Sequence, residues 1–149
     1  MVAGEICTTE VICCRAQTSA LDAAKLMRQK HVGDVVVVSD PDQGRIPIGI
    51  VTDRDLTVEV LACGRDAATT HLSALMRKPV VIAKESEDLR AVVGKMRLHG
   101  MRRIPIVDDH DALIGIVTSD DVLQALLSDM QGLVESEIKA HRREQLARR

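Results

Sequence analysis

The sequence predicts a mixed α/β fold in which two copies of a strand–helix–strand–strand–helix unit are followed by a C-terminal helix. The string GIVTDRD at residues 49–55 recurs as GIVTSDD at residues 115–121. Upstream of this motif, an offset of 69 aligns further residues, such as Met27 with Met96. Because helix-like and strand-like patterns recur in the same order, we interpret the chain as a structural repeat. A unit of about 60 residues cannot bury its sheet alone, so we expect the two copies to pack face to face.

Each copy opens with a short lead-in, and an apolar stretch then predicts its first strand. The lead-ins are residues 3–7 and 72–76, and the strands are expected at 11–14 and 80–83. A helix follows, because apolar residues recur at positions i, i+3, i+4 and i+7. Its apolar face comprises Leu89, Val92, Val93 and Met96 in the second copy, and the smaller Ala20, Ala23, Ala24 and Met27 in the first.

Two apolar strands and a final helix complete each copy. The middle strand is expected at 35–38 and 104–107, and the last strand at 48–51 and 114–117. Their continuous apolar, β-branched residues predict burial on both faces of the sheet. The turn between them is three residues longer in the first copy, an insertion that a surface loop tolerates. We therefore expect one repeat at 2–62, a linker at 63–71, a second repeat at 72–128 and a helical tail at 129–149.

The composition narrows the classes of function. The 149 residues are 46% hydrophobic, carry a formal charge of −2 and include no Phe, Tyr or Trp. The small net charge provides no overall attraction to nucleic acid or anionic membrane, and base stacking, on which single-strand binders rely, needs aromatic side chains. A planar ligand would have to lie between aliphatic walls. Since no bilayer-spanning stretch or signal sequence is present, we expect a cytoplasmic protein without membrane contact.

Neither the cysteines nor the histidines show the spacing of a known catalytic or metal site. The four cysteines, Cys7, Cys13, Cys14 and Cys63, form no C-x-x-C pair, and we interpret them as reduced, packed thiols. The five histidines form no H-E-x-x-H motif, and no glycine-rich phosphate loop or G-x-S-x-G elbow occurs. Folding could still assemble a nucleophile and a base, but the sequence predicts neither an enzyme nor a metal protein.

The repeated motif fits two roles. Thr52-x-x-Asp55 and Thr118-x-x-Asp121 have the spacing of a capping box, in which threonine and a carboxylate satisfy the first N–H groups of a helix. The motif also lies where a buried strand ends and a helix begins, a place where backbone N–H groups favour polar or anionic ligand atoms. A short carboxylate there could accept both ribose hydroxyls, and the motif's glycine would let a ligand approach the strand closely.

Residues 75–122, and less completely residues 5–56, resemble the CBS domain, so that the pair of copies is similar to a Bateman module. The resemblance covers roughly residues 2–128. It implies two β-α-β-β-α units related by pseudo-twofold symmetry, with two clefts between them. It also implies binding of AMP, ADP, ATP or S-adenosylmethionine, a role in sensing such a ligand rather than transforming it, and dimerisation into a disc.

The resemblance further implies the residues of each cleft. In one cleft Thr118 and Asp121 would hold the ribose, with Arg102 and Arg103 at the phosphates. The base would lie there against Cys7, Ile12, Val32 and Gly33. In the other cleft Thr52 and Asp55 would hold the ribose, and the base would lie against Met76, Val81, Met101 and Arg102.

The two copies differ at the position that the resemblance assigns to the phosphates. The first copy has Gly33-Asp34 where the second has Arg102-Arg103. A carboxylate repels a phosphate, by about 4 kcal/mol for two unit charges at close range and an effective dielectric of 20, whereas arginine donates two bonds to it. We therefore expect the Thr118 cleft to prefer phosphorylated nucleotides. The Thr52 cleft would then bind them more weakly, with Arg54 compensating in part, or be empty or suited to a less anionic ligand. The alternative is that Arg102 and Arg103 are a solvated basic pair.

The tail is expected to be helical over residues 119–149, with a break at Gly132. Its apolar side comprises Leu126, Leu127, Met130, Leu133, Val134 and Ile138. This side would pack across a homodimer or against a protein target that the sequence does not identify, unless the tail is only a solvated extension. The basic end is too short to predict a nucleic-acid partner.

Taken together, these patterns predict a stand-alone regulatory module. It would bind a small adenine nucleotide, with AMP the expected ligand, and would require no cofactor for activity. The alternative is a dimeric scaffold whose clefts no longer bind ligand. Intact Thr and Asp in both copies favour the module.

Overall fold

The computed structural model describes residues 1–40 and 44–148 of the chain. Two short helical segments accompany the regular elements: a π-helical turn, Leu56–Leu61, and a 3-10 turn, Leu72–Ala74. The helices and strands in chain order are α1 Ala3–Ile6, β1 Cys13–Arg15, α2 Ala20–Lys30, β2 Asp34–Val38, β3 Pro47–Thr52, α3 Asp53–Asp55, β4 Ala83–Lys84, α4 Leu89–His99, β5 Arg103–Val107, β6 Leu113–Thr118 and α5 Ser119–Ala147.

The two repeats form separate sheets of the same topology. Each sheet has three strands in sequence order, with the first pair parallel and the second antiparallel. The registers are equivalent, since Asp34 lies opposite Thr52 in one sheet and Arg103 lies opposite Thr118 in the other. These equivalences confirm the repeat and the mixed α/β fold predicted from the sequence.

The middle strand of the first sheet is buried on both faces, as its continuous valines predict. Val35 and Val37 pack with α2 in the core of the first repeat. Val36 and Val38 point the other way and pack with Leu113 and Ile116 of the second sheet. Because side chains alternate along a strand, one strand serves both the core of its own repeat and the junction between the repeats.

The lead-in segments cross from one repeat to the other. Ala3 of α1 is fully buried in the core of the second repeat, and its N–H donates to the Glu87 carbonyl at 2.8 Å. In the opposite direction Leu72, Leu75 and Met76 are buried in the core of the first repeat. Each core is therefore completed by the lead-in of the other repeat.

The first strand of each repeat begins later than the sequence predicts. The expected strands at 11–14 and 80–83 are Cys13–Arg15 and Ala83–Lys84, because the parallel pairing starts only at those residues. The apolar residues before them, 11–12 and 80–82, lie outside the strands. The apolar faces of α2 and α4 are also narrower than predicted, since Ala24 in the first repeat and the equivalent Val93 in the second are both exposed.

The helix that follows the motif differs between the repeats. In the first it is α3, only three residues long, continued by the π-helical turn. In the second it is α5, which continues through Gly132 without the break that the sequence suggests. The three-residue insertion predicted after Asp40 lies largely at 41–43, outside the described residues. Over the described residues, no helix is long and apolar enough to cross a membrane.

Candidate functional site

Both copies of the motif form the capping box that the sequence predicts. In the first, the Thr52 N–H and hydroxyl donate to Asp55 Oδ2 at 2.8 and 2.9 Å, and the Asp55 N–H donates to Thr52 Oγ1 at 3.2 Å. In the second, the corresponding Thr118–Asp121 distances are 2.7, 2.7 and 3.2 Å. The threonine and one carboxylate oxygen are thus engaged in capping at both strand-to-helix corners.

Capping does not use the whole carboxylate. Hydrogen bonds from the described residues reach Oδ2 of Asp55 and of Asp121, and none reaches Oδ1. An ionised carboxylate has room for about four hydrogen bonds. The capping box therefore holds each aspartate in a fixed rotamer and leaves acceptor capacity for a ligand hydroxyl.

The glycine of each motif does not serve as predicted. A Cβ on Gly49 would lie 2.7 Å from Cβ and Sδ of Met76, and one on Gly115 would lie 2.6 Å from Sγ of Cys7. The space beside each glycine is filled by a lead-in side chain, so that a ligand does not approach the strand there. The same packing keeps Met76 out of the cleft wall, against the prediction that it contacts the base.

A cleft of about 430 Å³ opens beside Thr52 and Asp55, and we call it the Thr52 cleft. Its volume lies within the range usual for small-molecule sites. One wall comes from the motif of the first repeat and the other from the segments that precede β4 and β5. The lining residues are Ile50, Thr52, Asp53, Arg54, Asp55, Arg77, Pro79, Val80, Val81, Gly100, Met101, Arg102 and Arg103.

Several residues proposed from the sequence meet in this cleft. Val81, Met101 and Arg102 lie with Thr52 and Asp55, which is the grouping expected for the base side of that cleft. Sequence reasoning missed Arg77, whose only signal is its place in a basic pair just ahead of the predicted strand at 80–83.

The sequence assigned Arg102 and Arg103 to the phosphates of the Thr118 cleft. In the structure both arginines line the Thr52 cleft. Arg103 is indeed the cross-strand neighbour of Thr118, but its guanidinium crosses the junction toward the first repeat. One of its terminal nitrogens would be 3.5 Å from a Cβ on Gly33. Register along the strand therefore did not predict which cleft the side chain enters.

An ion pair holds Arg103 on that side. Its Nε lies 2.6 Å from Asp34 Oδ2, with side-chain exposures of 32% for the arginine and 18% for the aspartate. The buried Nε–H is not aligned to make a hydrogen bond. Burial raises the pKa of the Asp34 carboxyl, and attraction to Arg103 opposes that rise only in part. The carboxylate is costly to bury, and Arg103 is the cation that compensates it.

The Thr118 corner has different neighbours. Cys7 packs against Gly115, and burial raises the pKa of its thiol, with further contributions from the negative charges of Glu85 and Asp121. Ile12 and Val32 are half-buried against the first core, as their equivalents Val81 and Met101 are against the second. Gly33 lies at the Thr52 corner instead, where its carbonyl accepts a hydrogen bond from the Asp53 N–H at 2.9 Å. Across the described residues, no cluster of three or more His, Cys, Asp or Glu side chains could hold a metal ion.

Comparison with known proteins identifies the two repeats. A family model of the CBS domain matches residues 3–62 and 72–128. An uncharacterized protein of Methanopyrus kandleri is 38% identical over 121 residues, which are 81% of this chain and only 60% of that protein, so the chain spans less than two thirds of that relative. The CBS domain-containing protein YhcV of Bacillus subtilis is 36% identical over 115 residues, 77% of this chain and 78% of YhcV.

A solved structure shares the arrangement of the repeats. The CBS domain pair of protein MJ0100, in complex with 5′-methylthioadenosine and S-adenosyl-L-methionine, superposes with a TM-score of 0.74 at 25% sequence identity. The match covers 87% of this chain and 98% of that one. The two repeats thus have the same relative orientation in both.

Proposed function

The chain belongs to the CBS domain family, and on that premise we propose that it is a regulatory module that binds an adenosine-type ligand in the Thr52 cleft. The observation that carries this proposal is the cleft itself. It combines a positioned, partly free carboxylate at Asp55 with aliphatic walls and several guanidinium groups. This set of groups matches the three parts of an adenine nucleotide, which are ribose, base and phosphate.

Each part of the ligand has a partner in the cleft. Oδ1 of Asp55 would accept the ribose hydroxyls, because its other oxygen is committed to the cap. Ile50, Val81 and Met101 would enclose the base between apolar side chains, the only kind of wall that a chain without aromatic residues can offer. Arginines would bind the phosphate through paired N–H donors. AMP is the simplest ligand that uses all three.

We propose binding and signalling, and no catalysis. At the motif, Thr52 and Asp55 bond to one another and to the start of a helix, which suits a fixed binding corner. A ligand that contacts both repeats would favour the arrangement it binds best, and the size of the response would equal its differential affinity. The complex of the MJ0100 domain pair with two adenosine derivatives supports this ligand class. The four free cysteines favour a cytoplasmic setting.

We also propose that the module is a homodimer that uses α5. The apolar side of this helix beyond its first two turns is exposed in the single chain, with Met130 at 62% and Leu133 at 69%. Soluble proteins rarely leave such a continuous apolar face uncovered. A second copy would cover it, and an unidentified protein target is the alternative occupant.

Calorimetric titration of the purified chain with AMP tests the proposed function. We expect saturable binding at the Thr52 cleft and its loss in Asp55→Ala, with circular dichroism showing that the variant remains folded. Binding that is absent for AMP, ATP and S-adenosylmethionine alike would contradict the proposal and favour the scaffold alternative, in which the clefts no longer bind ligand.

A further inference from the structure

The Thr52 cleft is basic. Arg54, Arg77, Arg102 and Arg103 line it, and only two carboxylates, Asp53 and Asp55, lie among them. Counted with Asp34, which pairs with Arg103, these groups carry a formal charge of +1. One of those aspartates, Asp55, is already engaged by Thr52.

The positions around Thr118 that are equivalent to this lining, which we take as the Thr118 cleft, carry the opposite charge. The repeats are related by offsets of 69 and 66 residues. By these offsets Arg77, Arg102 and Arg103 correspond to Thr8, Gly33 and Asp34, and Arg54 corresponds to Asp120. The same offsets place Glu10 at the position of Pro79 and His31 at that of Gly100. Asp34 itself lies against Arg103 on the side of Thr52. The remaining equivalent positions together with Asp121 carry three carboxylates, Glu10, Asp120 and Asp121, no lysine or arginine, and a formal charge of −3.

The ion pair between Asp34 and Arg103 separates these two charge patterns. The two residues are equivalent in the repeats and meet at the junction, where Arg103 leans toward the first repeat. Because the buried carboxylate holds the guanidinium on that side, Arg103 is withheld from Thr118, its own cross-strand neighbour. The pair thus places the Arg103 guanidinium beside the Thr52 cleft and away from Thr118.

We propose that the two clefts select adenosine ligands by charge: the Thr52 cleft takes a 5′-phosphorylated nucleoside, and the Thr118 cleft takes a nucleoside whose 5′ substituent is neutral or cationic. Asp34 acts as the positioning residue that assigns Arg103 to the phosphate. This inference rests on the proposed function and reverses the asymmetry expected from the sequence. A single module would then respond to two adenosine ligands that differ in the charge of their 5′ substituent.

Titrations with three probes test the assignment. AMP is anionic, S-adenosylmethionine carries a sulfonium, and 5′-methylthioadenosine is uncharged and serves as the internal control. Asp55→Ala and Asp121→Ala are matched variants, since each removes the same capping carboxylate from an equivalent corner. We expect Asp55→Ala to abolish AMP binding and spare S-adenosylmethionine, and Asp121→Ala to do the reverse. The opposite pattern, or equal effects on both ligands, would overturn the inference.

The double variant Asp34→Arg with Arg103→Asp tests the role of the ion pair. It keeps opposite charges in contact and exchanges their sides. We expect AMP and S-adenosylmethionine each to bind about tenfold more weakly, the equivalent of one charge-assisted hydrogen bond, while 5′-methylthioadenosine is unaffected. Unchanged affinity for both charged ligands would overturn the inference.

Three further outcomes are distinguishable. If the exchange weakens 5′-methylthioadenosine as well, the exposed Arg54→Ala gives the readout: weaker AMP with unchanged 5′-methylthioadenosine supports the inference, and unchanged AMP overturns it. If no probe binds the wild-type chain, the proposed function fails and this inference fails with it. If all probes bind but without preference by charge, the inference alone fails.

Discussion

At the scale of single residues, the positions at which the two repeats differ help to determine how the repeats pair. Asp34 and Arg103 hold the same place in the two repeats and face each other at the junction, 2.6 Å apart. Two identical repeats would bring like charges together there, at a half-buried position where repulsion is strong. Opposite charges instead favour the pairing of the first repeat with the second over the pairing of either repeat with its own kind.

The glycines show how one residue type can have opposite roles in this chain. Gly115 is required by close packing, because a Cβ there would meet Cys7 Sγ at 2.6 Å and the Thr8 carbonyl oxygen at 3.1 Å. Gly94 lies in α4 with nothing within 4 Å of its Cβ position. We expect Gly115→Ala to lower the free energy of unfolding by about 1–3 kcal/mol, and Gly94→Ala to raise it by about 0.5–1 kcal/mol.

Urea denaturation followed by circular dichroism measures both changes, and each variant is the control for the other. If Gly115→Ala were as stable as the wild type, the space beside the strand would be open. That result would support the prediction from the sequence that a ligand approaches the strand at the motif's glycine.

At the scale of elements, the same corner leads into two different helices. Both begin with the Thr-x-x-Asp cap, but α3 turns into a π-helical segment, whereas α5 runs for 29 residues. Between Leu123 and Ile138, α5 carries large apolar side chains that are exposed to solvent in the single chain. In the proposed dimer, the tail would gain its stability from the partner more than from its own repeat.

A chain that ends at Ser128 tests the role of α5 in assembly. It keeps the start of the helix, with buried Val122, and loses Met130, Leu133, Val134 and Ile138. We expect multi-angle light scattering to report a monomer for this chain and a dimer for the full chain. A chain that ends at Ala140 keeps the apolar side and should remain dimeric. A dimer mass for the chain that ends at Ser128 would remove the tail from the interface.

The sequence predicted the local elements, but it did not predict the contacts across the junction between the repeats. The capping boxes follow from four consecutive residues, and the buried valines of β2 follow from their own composition. The side chosen by Arg103 depends on Asp34, 69 positions away, and the filling of the glycine gaps depends on lead-ins that cross to the other repeat. Periodicity contains no information about such distant partners.

At the scale of the whole molecule, we expect the two repeats to unfold as one unit. Each core includes residues from the lead-in of the other repeat, and a third apolar cluster joins the two sheets. Separating the repeats would therefore expose three sets of apolar side chains at once. A ligand at the junction would act on this shared interior, which is how occupancy could alter the relation between the repeats.

Matched core substitutions test this unity. Val51 in β3 and Val117 in β6 are equivalent and fully buried, each in the core of its own repeat. We expect Val51→Ala and Val117→Ala each to lower stability by about 2 kcal/mol and to shift one common urea transition. Two separate transitions, with only one moved by each variant, would show that the repeats unfold independently.

The central claim is that the chain binds an adenosine-type ligand, and the missing aromatic residues allow a direct test. A protein without Phe, Tyr or Trp is nearly transparent between 260 and 280 nm. We would record the ultraviolet spectrum of the freshly purified chain, denature and filter it, and identify any released absorbing molecule by mass spectrometry. The account predicts a stoichiometric adenine chromophore, or calorimetric binding of AMP once it is added. A transparent protein that gives no signal with AMP, ATP or S-adenosylmethionine would contradict it.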